Sequence, residues 1–420
     1  MRWLTSLILG LALTVAVRGE GSKATFRDDH MVSVNGQPFF PIGLYYCTEE
    51  FEDPTGKLLK ELKEFGFNTL GYYRWGTPKW REELDRAHQH GLKVWIRGHN
   101  GFAIDSADIA KTCVEQVRKT RSHPALLFWE FQDEPILNKV SIEASRKGYQ
   151  LVHREDPDHP MLVVEWPGAM DRLHLWKGIG DIFATDLYPI PRQRKYGRLP
   201  NHDITQMRDY IKAIRQAHQD KPVLLVLQAW AWEPLKDGEK GYPTPHESRF
   251  MAYQAVIHGA SGIHYYGQFH CTRPNSAAAL YSEAKDPAVN KAEFEQCLEL
   301  NRRFWERHRP FFKELSRASR MFVLPKAKAT ERIELVDEAP RGTTGIESMT
   351  KQAGGELYLL SVNADSKDRV ASFRLPTTAR TAEIHVLFEN RKLAVKEGTF
   401  TDRFKPYDTH VYATTPELPR

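Results

Sequence analysis

Cysteine is scarce in this chain of 420 residues: Cys47, Cys113, Cys271 and Cys297 are the only four. Their wide separation excludes the close ligand pairs of a structural zinc site. Charge of one sign is also lacking. Lys plus Arg number 59 against 54 Asp plus Glu, a formal net charge of +5, too mild an imbalance to point to a nucleic-acid partner. No G-x-G-x-x-G or phosphate-binding loop appears, which removes the usual dinucleotide and nucleotide signatures. Among apolar runs, the stretch from Leu4 to Val17 is ended by Arg18 and Glu20, short of the roughly 20 residues that a membrane helix needs.

That stretch reads instead as a signal peptide. Arg2 supplies the positive start, and Val17 and Gly19 offer small residues for cleavage, so residues 1–19 are expected to be removed. The expected location is secreted or periplasmic, with no membrane insertion after cleavage. No cysteine closely follows the apolar run to carry a lipid. Loss of Arg2 and Arg18 lowers the formal charge to +3.

From Phe39 to Phe269, short apolar or aromatic runs alternate with longer stretches of helical period. Eight runs stand out: PIGLYY (41–46), FNTLGYY (67–73), LKVWIRG (92–98), LLFWEFQ (126–132), MLVVEW (161–166), DIFATDLY (181–188), PVLLVLQAW (222–230) and GIHYYGQ (262–268). Between them lie helix candidates such as TGKLLKELKEFG and QMRDYIKAIRQAHQ. Eight alternations predict an α/β fold, a (β/α)8 TIM barrel, over residues 20–318. Asn35-Gly36 ahead of the first run predicts a hairpin, and FEQCLELNRRFWERHRPFFKEL is the expected last helix. Residues 319–420 change texture to short alternating segments, MFVLP, RIELV, GELYLLSVNA, RVASFRLP, TAEIHVLF and THVYAT. These predict a small antiparallel β-sandwich. With no flexible linker at the seam, the two parts are expected to pack together.

In such a barrel the reacting groups project from the carboxyl ends of the strands. The polar and aromatic residues there are Arg74 and Trp75; Arg97, His99 and Asn100; Asp133 and Glu134; Glu165 and Trp166; Asp186 and Tyr188; Gln228 and Trp230; and Tyr265, Tyr266, Gln268 and His270. Carboxyls, amides and aromatic rings, with neither metal cluster nor cofactor loop, suit sugar chemistry. A glycosidic oxygen leaves only when protonated, which requires a carboxylic acid of raised pKa. Trp75, Trp166, Trp230 and Tyr266 are the candidate sugar platforms, and Arg97, His99, Tyr188 and Gln228 candidate binders of hydroxyls.

In FWEFQDEP, Asp133-Glu134-Pro135 ends the fourth run, and DLYP (186–189) ends the sixth. In this order the chain resembles the (β/α)8 glycoside hydrolases whose general acid is a glutamate at the end of strand four. The resemblance covers roughly residues 32–315, and the tail is similar to the β-sandwich that often follows such barrels. It implies Glu134 as the catalytic acid with Asp133 assisting, a carbohydrate substrate and no cofactor or metal. The seventh run departs from the pattern, with Gln228 where retaining members present a nucleophilic glutamate. The second carboxylate is then Glu233 on the next loop, or Glu165 or Asp186 acting on water. Alternatively, the substrate's own acetamide replaces it, as in hexosaminidases that carry adjacent Asp-Glu on strand four. A carbohydrate-binding barrel without catalysis is a further reading.

Each residue also has a structural reading. Glu134 can start a helix, Asp133 can cap it or pair with Arg97, and Glu165 and Asp186 can be partners of arginines. Trp95, Trp129 and Tyr265 read as packing. Arg192, Arg194, Lys195 and Arg198 form either a solvated loop or a contact for a sulfated or uronic sugar. Cys47 and Cys271 follow the first and eighth runs, neighbours in a closed barrel, so a disulfide between them is geometrically open. Cys113 and Cys297 are expected to be free and buried within helices.

Overall fold

The computed structural model describes residues 21–192, 195–271, 287–339 and 345–419. The expected signal peptide and Arg194 lie outside the described residues. Three short strands come first: β1 (Ala24–Phe26), β2 (Val32–Val34) and β3 (Gln37–Pro38), paired antiparallel across the turn at Asn35-Gly36. All eight apolar runs then appear as strands: β4 (Ile42–Leu44), β5 (Thr69–Tyr72), β6 (Lys93–Arg97), β7 (Leu126–Glu130), β8 (Met161–Glu165), β9 (Ile182–Leu187), β10 (Val223–Gln228) and β11 (Gly262–Tyr266). They pair in parallel in chain order, and β11 closes onto β4 to make a barrel.

The alternation of a strand's side chains sorts the core into two layers. Leu162, Val164, Ile182, Ala184, Leu224 and Val226 point into the barrel with Trp95 and Tyr45. Their chain neighbours Val163, Phe183 and Leu225 face the helical ring. Both layers are apolar, so the strands read as continuous hydrophobic runs. Val32 of the hairpin joins the interior cluster and plugs one end. Inside, the rings of Trp95 and His264 stack at 4.1 Å. A Cβ on Gly43 would stand 2.4 Å from the His264 ring, so β4 carries no side chain there.

The helices begin and end where local chemistry directs. Ser106 caps Ala107–Thr120 by accepting from Ile109 N. Thr244 and Glu247 form a reciprocal capping box on Pro245–Ile257. Helix Lys57–Phe65 buries Leu59, Leu62 and Phe65 and stops at Gly66, whose φ is 130°.

Helix Pro287–Phe322 takes in Met321 and Phe322. The expected strand MFVLP is thus corrected: both residues are fully buried in the main core and prolong the helix. The tail forms two antiparallel sheets. One is β12 (Glu334–Ala339), β15 (Arg369–Arg374) and β18 (Thr399–Phe404). The other is β13 (Ile346–Ala353), β14 (Glu356–Asn363), β19 (Thr409–Ala413), β16 (Glu383–Leu387) and β17 (Arg391–Ala394). Leu359, Phe373, Ile384, Phe400 and Tyr412 fill the space between them. This domain docks on the barrel through Glu347, which accepts from Gln254 Nε2 and His258 Nε2 at 2.9 Å each, and through Tyr407, whose hydroxyl donates to Asp203 at 2.8 Å.

All four cysteines are described, and no disulfide forms among them. Cys47 Sγ turns toward the carbonyls of Leu44 and Tyr45, whereas Cys271 packs with Phe294 and Cys297. The two side chains thus occupy different packing layers despite following neighbouring strands. No described helix is long and apolar enough to cross a membrane.

Candidate active site

At the carboxyl ends of the strands a cavity of about 420 Å3 opens. Val164 and Val226 form its floor; Asp133, Glu134 and Asp186 its acidic wall. Glu134 is put there by its backbone. After β7 the chain continues through Phe131 N, which donates to Leu162 O, and Glu134 N, which donates to Val164 O at 3.0 Å. Glu134 adopts φ +45°, a left-handed conformation uncommon for a residue with a Cβ and characteristic of functional turns. Asn138 Nδ2 donates to Asp133 O and its N–H to Glu134 O, which holds the turn closed.

The Glu134 carboxyl shares this cavity with the Asp186 carboxyl and the Tyr196 hydroxyl, which lower its pKa slightly against the rise that burial causes. That hydroxyl donates to Asp186 Oδ2 at 3.1 Å. Asp186, at the end of β9, is only 6% exposed. Burial, and next the negative charge of Glu134 and Asp133, holds its carboxyl well above the ordinary range. Burial and Asp133 raise Glu134 in the same direction. A negative charge on Glu134 disfavours ionisation of its neighbour, which adds to burial in raising Asp186.

Asp133 has a different partner. Arg97 Nη2 lies 3.5 Å from its Oδ2, and Arg97 Nε lies 3.2 Å from Glu130 Oε2 below. Glu130 also accepts from Tyr45 OH at 3.2 Å, and burial raises it to about 7 despite the guanidinium. Burial likewise lifts Asp133, while Arg97 opposes the rise. Arg97 therefore serves acids at two depths, and its guanidinium lies over the Tyr73 ring at 4.5 Å.

Aromatic rings make the rest of the wall. Trp230 and Trp232 stand 4.6 Å apart, Tyr188 and Tyr196 stack at 5.7 Å, and Tyr46 meets Tyr266 edge-on at 5.3 Å. Trp166 and Tyr45 also line the cavity, and Leu137 stands 45% exposed at its edge.

Of the residues singled out from sequence, the structure brings Asp133, Glu134, Asp186, Trp166, Tyr188, Trp230 and Tyr266 together around this cavity, with Arg97 behind them. Others lie elsewhere. Glu165 is wholly buried, its Oε1 accepting from Trp176 Nε1 at 2.8 Å and Ile136 N at 3.2 Å. Gln228 is equally buried: its amide accepts from Ile190 N and donates to the carbonyls of Ile190 and Trp230, clasping two loops. Glu233 is partly exposed beside Lys236. Trp75 packs against Trp80, and His99 is exposed on the turn after β6. His270 is held by Glu50 and Glu61, and Tyr265 is packed on Phe312. On the basic loop, Arg192 pairs with Glu247 and Arg198 with Asp171.

Sequence reasoning missed Tyr45, Tyr46, Tyr196, Trp232 and Glu130. Tyr45 and Tyr46 were visible at the end of PIGLYY, and Trp232 sits two residues beyond Trp230. Tyr196 lies in a loop that drew notice only for its charge. Among the described residues, no group of three or more His, Cys, Asp or Glu is arranged to hold a metal.

No protein-family model and no curated protein sequence matches the chain. Solved structures do resemble it. One described as a glycoside hydrolase has a TM-score of 0.56 at 13% identity, covering 93% of this chain and 96% of its own. A glycoside hydrolase family 5 protein from Bacteroides vulgatus gives 0.57 at 14% identity, with 93% of each chain covered. An Anoxybacillus alpha-amylase gives 0.53 at 10% identity, covering 90% of this chain and 99% of that one. Identities this low establish the architecture alone, and they do so over nearly the whole length: the chain is a (β/α)8 barrel followed by an antiparallel β domain.

Proposed function

We propose that the protein is a glycoside hydrolase, with Glu134 as general acid and then base and Asp186 as the second carboxylate. The observation that carries this is that Glu134 and Asp186, two carboxyls of raised pKa, line one aromatic cavity at the mouth of the barrel. The fold is shared with proteins named as glycoside hydrolases, which supports the class and not the residues.

A sugar entering between the two acids separates them. On binding, Glu134, the more accessible of the pair, takes the proton, and Asp186, hydrogen-bonded by Tyr196, takes the charge. Glu134 passes its proton to the glycosidic oxygen as the bond to the anomeric carbon breaks, and Asp186 attacks that carbon. Water, deprotonated by Glu134, then releases the sugar and restores both acids. Carboxyls about 5–5.5 Å apart serve direct attack and carboxyls roughly 6.5–9.5 Å apart serve inversion with water between, and the anomer of the first product tells the two apart. Because a second carboxyl already adjoins Glu134, the cavity does not depend on a substrate acetamide. Asp133, anchored by Arg97, stabilises positive charge developing on the ring. The N-terminal segment read as a signal peptide would deliver the enzyme outside the cytosol, where polysaccharides are met.

The test is Glu134→Gln. We expect turnover of glycosides with poor leaving groups to fall about 100- to 10,000-fold with sugar binding largely kept. Undiminished turnover would remove the proposal, and glycan binding with no release of reducing sugar by the native protein would favour a binding barrel. Nuclear magnetic resonance of the first-formed product anomer reads retention against inversion.

A further inference from the structure

The cavity is unbalanced in charge. Asp133, Glu134 and Asp186 share its wall, yet among the described residues no Lys, Arg or His lines it. Among the described residues, Arg97 behind the wall is already bound to Glu130 and Asp133. Arg192 and Arg198 of the neighbouring loop are tied to Glu247 and Asp171. Asp186 Oδ1 is buried on this wall and has no hydrogen-bond partner among the described residues. A buried acceptor left this way calls for a donor from a ligand or solvent.

The remainder of the wall suits a cation as well. Tyr46, Tyr188, Tyr266, Trp166, Trp230 and Trp232 present their rings to the same space. Aromatic faces attract ammonium groups, most strongly when water is excluded, and such cages recur where alkylammonium ligands are held. A uronic or sulfated sugar would instead bring another negative charge against three carboxyls. A neutral sugar would leave the acids uncompensated.

We propose that the cavity takes a sugar residue bearing a protonated amine, a free amino sugar in preference to its neutral, N-acetylated or acidic counterparts. The inference rests on the glycosidase reading for the sugar and on the cavity's own composition for the amine. The ammonium donates to Asp186 Oδ1 and lies against the tyrosine and tryptophan rings, and the apolar face of the sugar stacks on the remaining aromatics. Because the cation favours the ionised carboxyls, binding releases protons, and affinity rises with pH as those carboxyls ionise.

Calorimetric titration of the full chain tests this with methyl glycosides of glucosamine and galactosamine in both anomers. Each is set against the matching neutral glycoside, N-acetyl glycoside and uronide. Choline against 3,3-dimethylbutan-1-ol gives a pair that differs in charge and carries no ring. We expect at least one amino glycoside to bind tenfold or more tightly than its neutral partner at pH 6.5, uronides not to bind, and choline to bind where its neutral isostere does not. Asp186→Asn should narrow the ratio of amino to neutral affinity. Equal or tighter binding of the neutral, N-acetyl or acidic member in every set would overturn the proposal.

Hydrolysis of the corresponding aryl glycosides, measured in parallel, separates the two claims. Cleavage without amine preference overturns the inference and keeps the glycosidase; amine-selective binding without cleavage of any glycoside does the reverse.

Discussion

Replacing Glu165 by Gln separates a structural carboxyl from a catalytic one. Glu165 is fully buried, and burial raises its pKa from 4.5 to about 7, while hydrogen bonds from Trp176 and Ile136 oppose the rise. A carboxyl whose folded pKa lies above its unfolded value binds more protons in the folded state. Stability therefore falls as pH climbs through the window from 4.5 to about 7. The gap corresponds to about 3 kcal/mol of destabilisation, fully present above pH 7 and absent below 4.5. Gln keeps the acceptor for Trp176 and Ile136 and abolishes the charge. Its amide nitrogen replaces Oε2, which has no partner, and an unsatisfied buried donor costs about 1 kcal/mol or more. The net expectation is a gain of about 2 kcal/mol at pH 8 and a loss of about 1 kcal/mol at pH 4.5. Urea denaturation at both pH values, alongside turnover of an aryl glycoside, measures it. Destabilisation at pH 8, or loss of activity beyond tenfold, would refute the reasoning and return Glu165 to the list of reacting groups.

The other expectations follow from the same contacts. Asp133→Asn removes the charge that helps to raise Glu134, so the alkaline limb of kcat/KM should move to lower pH; an unmoved limb would detach Asp133 from the acid. Gln228→Glu should not create a nucleophile. It would bury a carboxylate against the carbonyls of Ile190 and Trp230 and cost about 3 kcal/mol or more, read as a lowered melting temperature, and a gain in turnover would contradict the clasp. Trp232→Ala should raise KM more than it lowers kcat, because Trp232 contributes an aromatic ring to the cavity wall. A pure kcat effect would assign it another role.

Much of the architecture was readable because each barrel strand is buried on both faces. Runs such as VLLVLQ and MLVVE are apolar whichever neighbour they meet, and their spacing by amphipathic helices leaves few topologies. The tail was less legible. In β13, IESMTKQA, five of eight side chains are only partly buried, so its strand character comes from pairing with β14 along its full length. Met321 and Phe322 looked like the start of a strand because two apolar residues carry no period. Their burial against the barrel core made them a helix end.

At the site, the sequence by itself determined which acids end the fourth and sixth strands, and hence that Asp133, Glu134 and Asp186 share one mouth. It did not determine where side chains turn. Glu165 ends a β-strand and Glu134 follows one, but only the left-handed turn at Glu134 aims its carboxyl into the cavity, while Glu165 is drawn under the loop by Trp176 and Ile136. Gln228 stands where a nucleophile was expected and is spent entirely on backbone amides. Tyr196, remote in sequence from both acids, reaches them because the loop after β9 folds back over the mouth. Strand order fixes which residues are neighbours; hydrogen bonds and backbone angles formed only in the folded chain decide which of them face the substrate.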